Sequence, residues 1–261
     1  MTAILDFFAV VGRFVIASLS AVGELAQFTG VALSHCLRPP FYLKLTAQQM
    51  LSIGYFSLPV VGLTALFTGA ALAQQIFVGS VRFNAESAVP SVVVIAIVRE
   101  LGPVLGGLMV AGRVSSAMAA ELGTMRVTEQ IDALVTLSTD PFKYLVVPRL
   151  IAAVLTLPLL VLVANIIGVY GGFIIATERL NFNAATYLQV TVDFLERSDV
   201  VSSLVKAGVF GFIVALMGSY HGYRSSGGAQ GVGRATTDAV VSAFILILLA
   251  NLIITVIVFG T

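Results

Sequence analysis

The sequence predicts an all-α membrane protein: an N-terminal interfacial helix, five transmembrane helices, and a short cytoplasmic helix between the second and third spans. Three observations predict it. The 261 residues are 58% hydrophobic and only 10% charged, with a mean hydropathy of +1.03, whereas a soluble domain is about 45–50% apolar. Five apolar segments, residues 53–78, 88–112, 145–176, 204–220 and 239–259, can each cross about 30 Å of hydrocarbon, a distance that takes roughly 20 apolar residues. The basic residues are also lopsided. With the N-terminus in the cytoplasm, Arg13, Arg38, Lys44, Arg113, Arg126, Lys143, Arg149, Arg224 and Arg234 lie inside, and only Arg82, Arg179 and Arg197 outside. Nine against three is a positive-inside bias. It puts Gly260 and Thr261 outside and makes 113–149 the largest cytoplasmic loop.

The elements follow in order. In residues 1–47, Ile4, Leu5, Phe7, Phe8, Val11, Phe14, Val15, Leu19 and Val22 form a wide apolar face, interrupted by Asp6, Arg13, Ser20, Glu24 and Gln27. That pattern suits a helix lying in the membrane interface, with 35–44 as a polar, proline-marked exit. A sixth span is the rival reading. A signal peptide fits poorly, because Asp6 precedes Arg13 and no small-residue cleavage site follows. Residues 48–261 form the five-span domain. Its third span is longer than crossing requires and carries Pro148 and Pro158, which predicts a tilt or kink. Lys206 in the fourth span is close enough to an end to snorkel. Gly102, Gly106 and Gly107, Gly168 with Gly172, and Gly208 with Gly211 let helix backbones approach closely.

Two places within 99–134 stand out. Arg99 and Glu100 are adjacent inside an apolar run, where a charge costs roughly 2.5–3.5 kcal/mol even on the lenient insertion scale. Neighbours on a helix point about 100° apart, so the two cannot stack as a simple ion pair, and at least one needs another partner. That partner is a lipid, a neighbouring helix or a second protomer. Further on, Val127, Ile131 and Leu134 fall at i, i+4 and i+7 while Glu129, Gln130 and Asp132 point elsewhere. Thr124 or Thr128 could cap this short amphipathic helix, and Pro141 closes the segment. It is either a solvated connector with one greasy side or a knob that docks in a cytoplasmic partner.

Several functions are excluded. Lone Cys36 allows no internal disulfide, and His35 and His221 lie far apart, so no metal site is expected. A net charge of +1 suggests neither nucleic-acid binding nor a polybasic lipid anchor. Residues 228–236 have the glycine spacing of a phosphate-binding P-loop. However, Arg234 and Ala235 replace its lysine and hydroxyl residue, and a membrane helix, not a strand, precedes it. The chain is expected to carry no cofactor of its own. No Ser/His/Asp set lies at one depth, so a lipid-modifying enzyme is a weak reading.

The run from Glu100 to Leu134, continuing through Ser138-Thr139-Asp140-Pro141 and Tyr144-Leu145-Val146-Val147-Pro148-Arg149, resembles the MCE-associated lipid-transport permeases of the MlaE or YrbE type. A second block, Gly231-Val232-Gly233-Arg234-Ala235-Thr236-Thr237, looks like that family's last cytoplasmic loop. The resemblance implies a homodimeric permease of the bacterial inner membrane. Its implied partners are a cytoplasmic ABC ATPase that binds ATP and magnesium, a STAS-domain accessory protein and a periplasmic ring of MCE-domain subunits. The implied substrate is phospholipid, with sterols or fatty acids handled by related members.

The resemblance also implies residue roles. Arg99 and Glu100 match a segment lining the lipid cavity, where a guanidinium can pair with a phosphate. Gln75 matches a polar cavity residue, although Gln74 beside it leaves open which of the two faces the pocket. Leu72 and Phe77 are candidates for the acyl-chain wall or for core packing. Glu121, Arg126, Glu129 and Asp132 match the ATPase-coupling segment, with Val127 and Ile131 seating its helix. Two other classes stay open. One is an ion-coupled transporter using Arg99 and Glu100 as a relay; the other is a structural anchor for a periplasmic ring.

Overall fold

A computed structural model describes residues 2–36 and 38–260. Helix α1 runs Thr2–Cys36, followed by α2 (Leu43–Gly54) and α3 (Leu58–Val81). The next span is one helical rod, Glu86–Val127, containing α4 (Val89–Ala96), α5 (Gly102–Val110) and α6 (Ser116–Val127). Wide π turns at Ile97–Leu101 and Ala111–Ser115 separate those three pieces. Then come α7 (Gln130–Thr136), α8 (Val147–Glu178), α9 (Ala184–Phe194), α10 (Arg197–Tyr223) and α11 (Gly228–Phe259).

Six helices among the described residues are long and apolar enough to cross a membrane. Five contain the predicted spans. The sixth, Val15–Cys36, is the second half of α1. Its ion pairs and aromatic contacts to other helices fall at one end of the bundle among the described residues: Glu24 pairs with Arg224, Phe28 packs on Phe142, Tyr220 and Tyr223, and His35 pairs with Asp140 at 2.8 Å. Residues 24–35 therefore run across the ends of α8 and α10 rather than alongside them. The side chains of Ile4, Leu5, Asp6, Phe7, Phe8, Val11 and Phe14 lie outside the described residues, as does Thr261.

Helix α8 is the central post. Leu150, Leu157, Leu160 and Ala164 join Val61 of α3, Val110 of α5, and Phe210 and Val214 of α10 in one buried cluster. Pro148 follows directly on a wide π turn, Phe142–Val146, in the same helical rod, and Pro158 lies inside the helix. The close approach of α3 to α8 needs glycine: a Cβ at Gly69 would lie 1.9 Å from the Gly168 carbonyl oxygen. Helix α11 is peripheral. Ala235, Ala239, Ala243 and Ile247, four residues apart, are buried, while Ile245, Leu252, Val256 and Ile257 are exposed.

Three expectations need correction. Arg113 is not in a loop. The second-span helix continues to Val127, and the Arg113 guanidinium reaches the Ser57 hydroxyl at 3.0 Å and the Ser52 carbonyl. Neither threonine caps the short helix, because Thr124 and Thr128 hydroxyls bond back to the carbonyls of Ala120 and Thr124, both at 2.8 Å. Glu129, at φ 60°, makes the break between α6 and α7 instead. Lys206 does not snorkel: the fourth helix begins at Arg197, two turns earlier than expected, so Lys206 lies well inside it and is fully buried.

Candidate functional site: a polar network at membrane depth

The wide turn Ile97–Leu101 carries Arg99 and Glu100. Such a turn inserts one extra residue, changes the side-chain register and often marks a functional position. Each of the two residues finds a separate partner on α10. The Arg99 Nε donates to Asp199 Oδ1 at 2.7 Å, with Asp199 fully buried. The Lys206 ammonium donates to Glu100 Oε1, to the Arg99 carbonyl and to Thr255 Oγ1, each at 2.8 Å. Glu100 further accepts from Asn251 Nδ2 at 2.8 Å and from Thr255 Oγ1 at 2.9 Å, both on α11. All three Lys206 donors are used, and both Glu100 oxygens accept. That satisfaction is what makes buried charge tolerable.

Asp199 has a second task. It is the third residue of α10, and its Oδ2 accepts from the Glu196 backbone N–H at 3.3 Å, closing a reciprocal cap. One carboxylate thus starts the fourth helix and anchors Arg99. The Arg99 guanidinium also lies over the Phe259 ring, 4.5 Å from its centre. Its side chain stays 30% exposed. Among the described residues its two terminal nitrogens make no hydrogen bond.

The other expected lipid contacts lie elsewhere on the protomer. Gln75 is exposed on α3, whereas Gln74 turns inward, its buried Oε1 without a partner. Leu72 and Phe77 pack on a small cluster of Ala73, Val89, Val93 and Ile97, and Phe77 meets Phe182 edge-on at 5.9 Å. One chain does not bring all five residues into a single cavity. An apolar groove of about 420 Å³ opens beside the wide turn, lined by Val98, Ile166, Tyr170, Leu188 and Val200 among others.

At the opposite end, α7 is seated by Ile131, 1% exposed, against Leu122 and Leu145. Val127 is half-buried beside it, and Glu129 and Asp132 are exposed. Arg126 pairs with Asp132 at 2.6 Å on the surface. Glu121 pairs with Arg149 at 2.8 Å, where the buried Arg149 also donates to the Leu145 carbonyl. Sequence reasoning missed Asp199, Asn251 and Thr255 and misplaced Lys206. The legible signal was charge balance: a carboxylate at membrane depth calls for a cation, and Lys206 was the free one within the spans.

This is the architecture of a multi-pass helical membrane protein with a polar network between its helices. The Permease MlaE family matches over residues 46–257. The chain is 56% identical over 245 residues to a probable ABC transporter permease protein of Rickettsia conorii, covering 94% of this chain and 95% of the relative. It is 40% identical over 223 residues to one from Synechocystis, 85% of each chain. With the intermembrane phospholipid transport system permease protein MlaE of Haemophilus influenzae it shares 31% identity over 258 residues, 98% of this chain and 99% of the relative. The chain belongs to the MlaE permease family and is a membrane permease subunit of the ABC transporter type.

Proposed function

We propose that this permease moves phospholipid between the bacterial inner membrane and a periplasmic conduit of MCE-domain subunits, with ATP hydrolysed by a separate cytoplasmic ATPase. In this reading it works as a homodimer, with its N-terminus cytoplasmic, its C-terminus periplasmic and a STAS-domain protein on the ATPase. One observation carries the lipid assignment. Arg99 is hydrogen-bonded at membrane depth through Nε alone, so its outer nitrogens are free to pair with a phosphate. The phospholipid named in the Haemophilus influenzae relative supports it. The network fixes where that guanidinium sits, and the helix continuing from it to Val127 links it to the α7 surface. Glu129 and Asp132, exposed beside α7, are the ATPase contacts in this reading.

The test is ATP-driven lipid transfer by the reconstituted complex. Arg99→Gln is expected to lower transfer at least about tenfold, the loss of one charge-assisted contact. Arg99→Lys keeps a cation for Asp199 but loses the outward fork, and should fall between the two. Wild-type transfer in both variants would overturn the lipid role and favour the anchor reading. Transfer driven by a proton gradient without any ATPase would favour the ion-coupled one.

A further inference from the structure

The wide turn that carries Arg99 and Glu100 ends two residues before the buried Pro103. In an α-helix the Arg99 carbonyl would accept a hydrogen bond from residue 103. Proline has no N–H to give. The chain compensates in two ways. The Gly102 N–H reaches back five residues to the Ile97 carbonyl, which is the wide register. The Lys206 ammonium, arriving from α10, bonds the Arg99 carbonyl at 2.8 Å. A neighbouring helix thus supplies the donor that Pro103 lacks, as membrane-spanning helices require of a proline. Gly102 leaves room for a brace on another side. A Cβ there would lie 1.8 Å from Asn165 Oδ1 of α8, whose Nδ2 donates to Ser203 Oγ at 2.9 Å.

Comparison with the other wide turns isolates the proline. Three such turns occur among the described residues. Phe142–Val146 also ends two residues before a proline, Pro148, and the Val147 N–H again reaches back five residues, to Phe142. A cation again bonds a carbonyl of the turn, Arg149 Nη1 to Leu145 at 2.6 Å. Ala111–Ser115 has Ala117 at the corresponding place, and after it the Ser116 N–H returns only three residues, to Arg113. The five-residue return accompanies the proline in both cases and is absent after the turn without one.

We infer that Pro103 is a positioning residue for Arg99: its missing N–H keeps the turn wide, leaves the Arg99 carbonyl to Lys206, and so sets the direction of the guanidinium. Closing the turn would change the rotation between the helix before it and the helix after it by one residue, about 100°. One of two pairings, Arg99 with Asp199 or Glu100 with Asn251, would then be lost. The role rests on the lipid contact proposed for Arg99, while the turn itself can be tested without transport.

Pro103→Ala returns the N–H. A second variant carries the α-hydroxy analogue of alanine at position 103, introduced by nonsense suppression. Its ester oxygen replaces the N–H without restoring the proline ring. Both are read in the full-length permease within its reconstituted complex. Pro103→Ala is expected to lower ATP-driven phospholipid transfer about tenfold, as Arg99→Gln does. Adding Arg99→Gln to it should cost little more, because the guanidinium is already misdirected; a loss of packing alone would multiply with Arg99→Gln. The ester variant should transfer as the wild type does. In detergent, Lys206→Met should speed unfolding less in the Pro103→Ala background than in the wild type, since the restored N–H then holds the Arg99 carbonyl. Wild-type transfer in Pro103→Ala, multiplied losses with Arg99→Gln, or an ester variant no better than Pro103→Ala would overturn the proposal. If Arg99→Gln itself transfers normally, the lipid reading fails, and the Lys206→Met comparison tests the turn by itself: equal acceleration in both backgrounds overturns it. If Pro103→Ala does not fold, the ester variant carries the test, normal transfer supporting the proposal and its loss overturning it.

Discussion

Charged residues concentrate in two regions of this protein, and the regions treat them in opposite ways. Between Arg99 and Lys206 the ions are bound at membrane depth, each to a named partner on another helix. Across the junction of α6 and α7 the ions lie at the surface, Arg126 and Asp132 being 38% and 60% exposed as they pair. A surface pair contributes about 0.2–1 kcal/mol, whereas breaking a buried one costs about 3–5 kcal/mol because a charge is left unpaired. The first region is therefore a lock between helices whose integrity depends on every member. The second is a display, seated by one apolar side chain, in which single charges can change without harm to the fold.

The sharpest way to break this comparison is Lys206→Met. The ammonium joins Glu100, the Arg99 carbonyl and Thr255, so its loss frees three acceptors at once. Glu100 stays 38% exposed and keeps Asn251 and Thr255, so the expected destabilisation is near or below the low end, about 2–3 kcal/mol. It would be read as a faster irreversible unfolding at fixed temperature in detergent. Adding Glu100→Gln should recover part of the loss, because the unpaired charge is then gone. Wild-type unfolding of the single variant would mean that the network does not hold these helices.

The α7 region should separate seating from contact. Ile131→Ala removes a fully buried side chain between Leu122 and Leu145, costing about 2–4 kcal/mol locally. Amide exchange across 130–136 should quicken while the spans stay protected. Asp132→Lys should leave stability within about 0.5 kcal/mol, yet weaken ATPase association if α7 is the coupling surface. Exchange changes that spread into α8 in Ile131→Ala, or full association in Asp132→Lys, would blur the distinction between the two regions.

The spans were legible because hydropathy reports burial in lipid directly, and the five apolar segments all became long helices. The network was only half legible. Arg99 and Glu100 announced themselves by their cost, but Asp199 lies before the predicted fourth span, 204–220, and joins the network only because α10 begins at Arg197. The pairing joins residues 100 and 106 positions apart, a separation that local pattern does not encode. Helix α9 was missed for a related reason. Eleven residues are too few to span a membrane, and the face it buries carries Tyr187 and Thr191, with the aliphatic Leu188 and Val192 exposed.

Tyr187 lies outside both regions and shows what an unsatisfied polar group does. It is 1% exposed, and its hydroxyl, beside Gly172, has no hydrogen-bond partner. Burial pushes its pKa from the usual 10 up to about 12. Tyr187→Phe removes a desolvated hydroxyl that gains nothing, so stability near neutral pH should stay level or rise by up to about 1 kcal/mol. The alkaline limb carries the sign check. The folded state favours the neutral phenol, so this group's contribution is intact below the unfolded pKa of 10 and is lost as pH rises toward 12. Apparent melting temperatures at about pH 9 and about pH 11 should therefore fall further for the wild type than for Tyr187→Phe. A variant that melts lower at neutral pH would show that this hydroxyl has a partner after all, and α9 would then be held by a polar bond as the central network is.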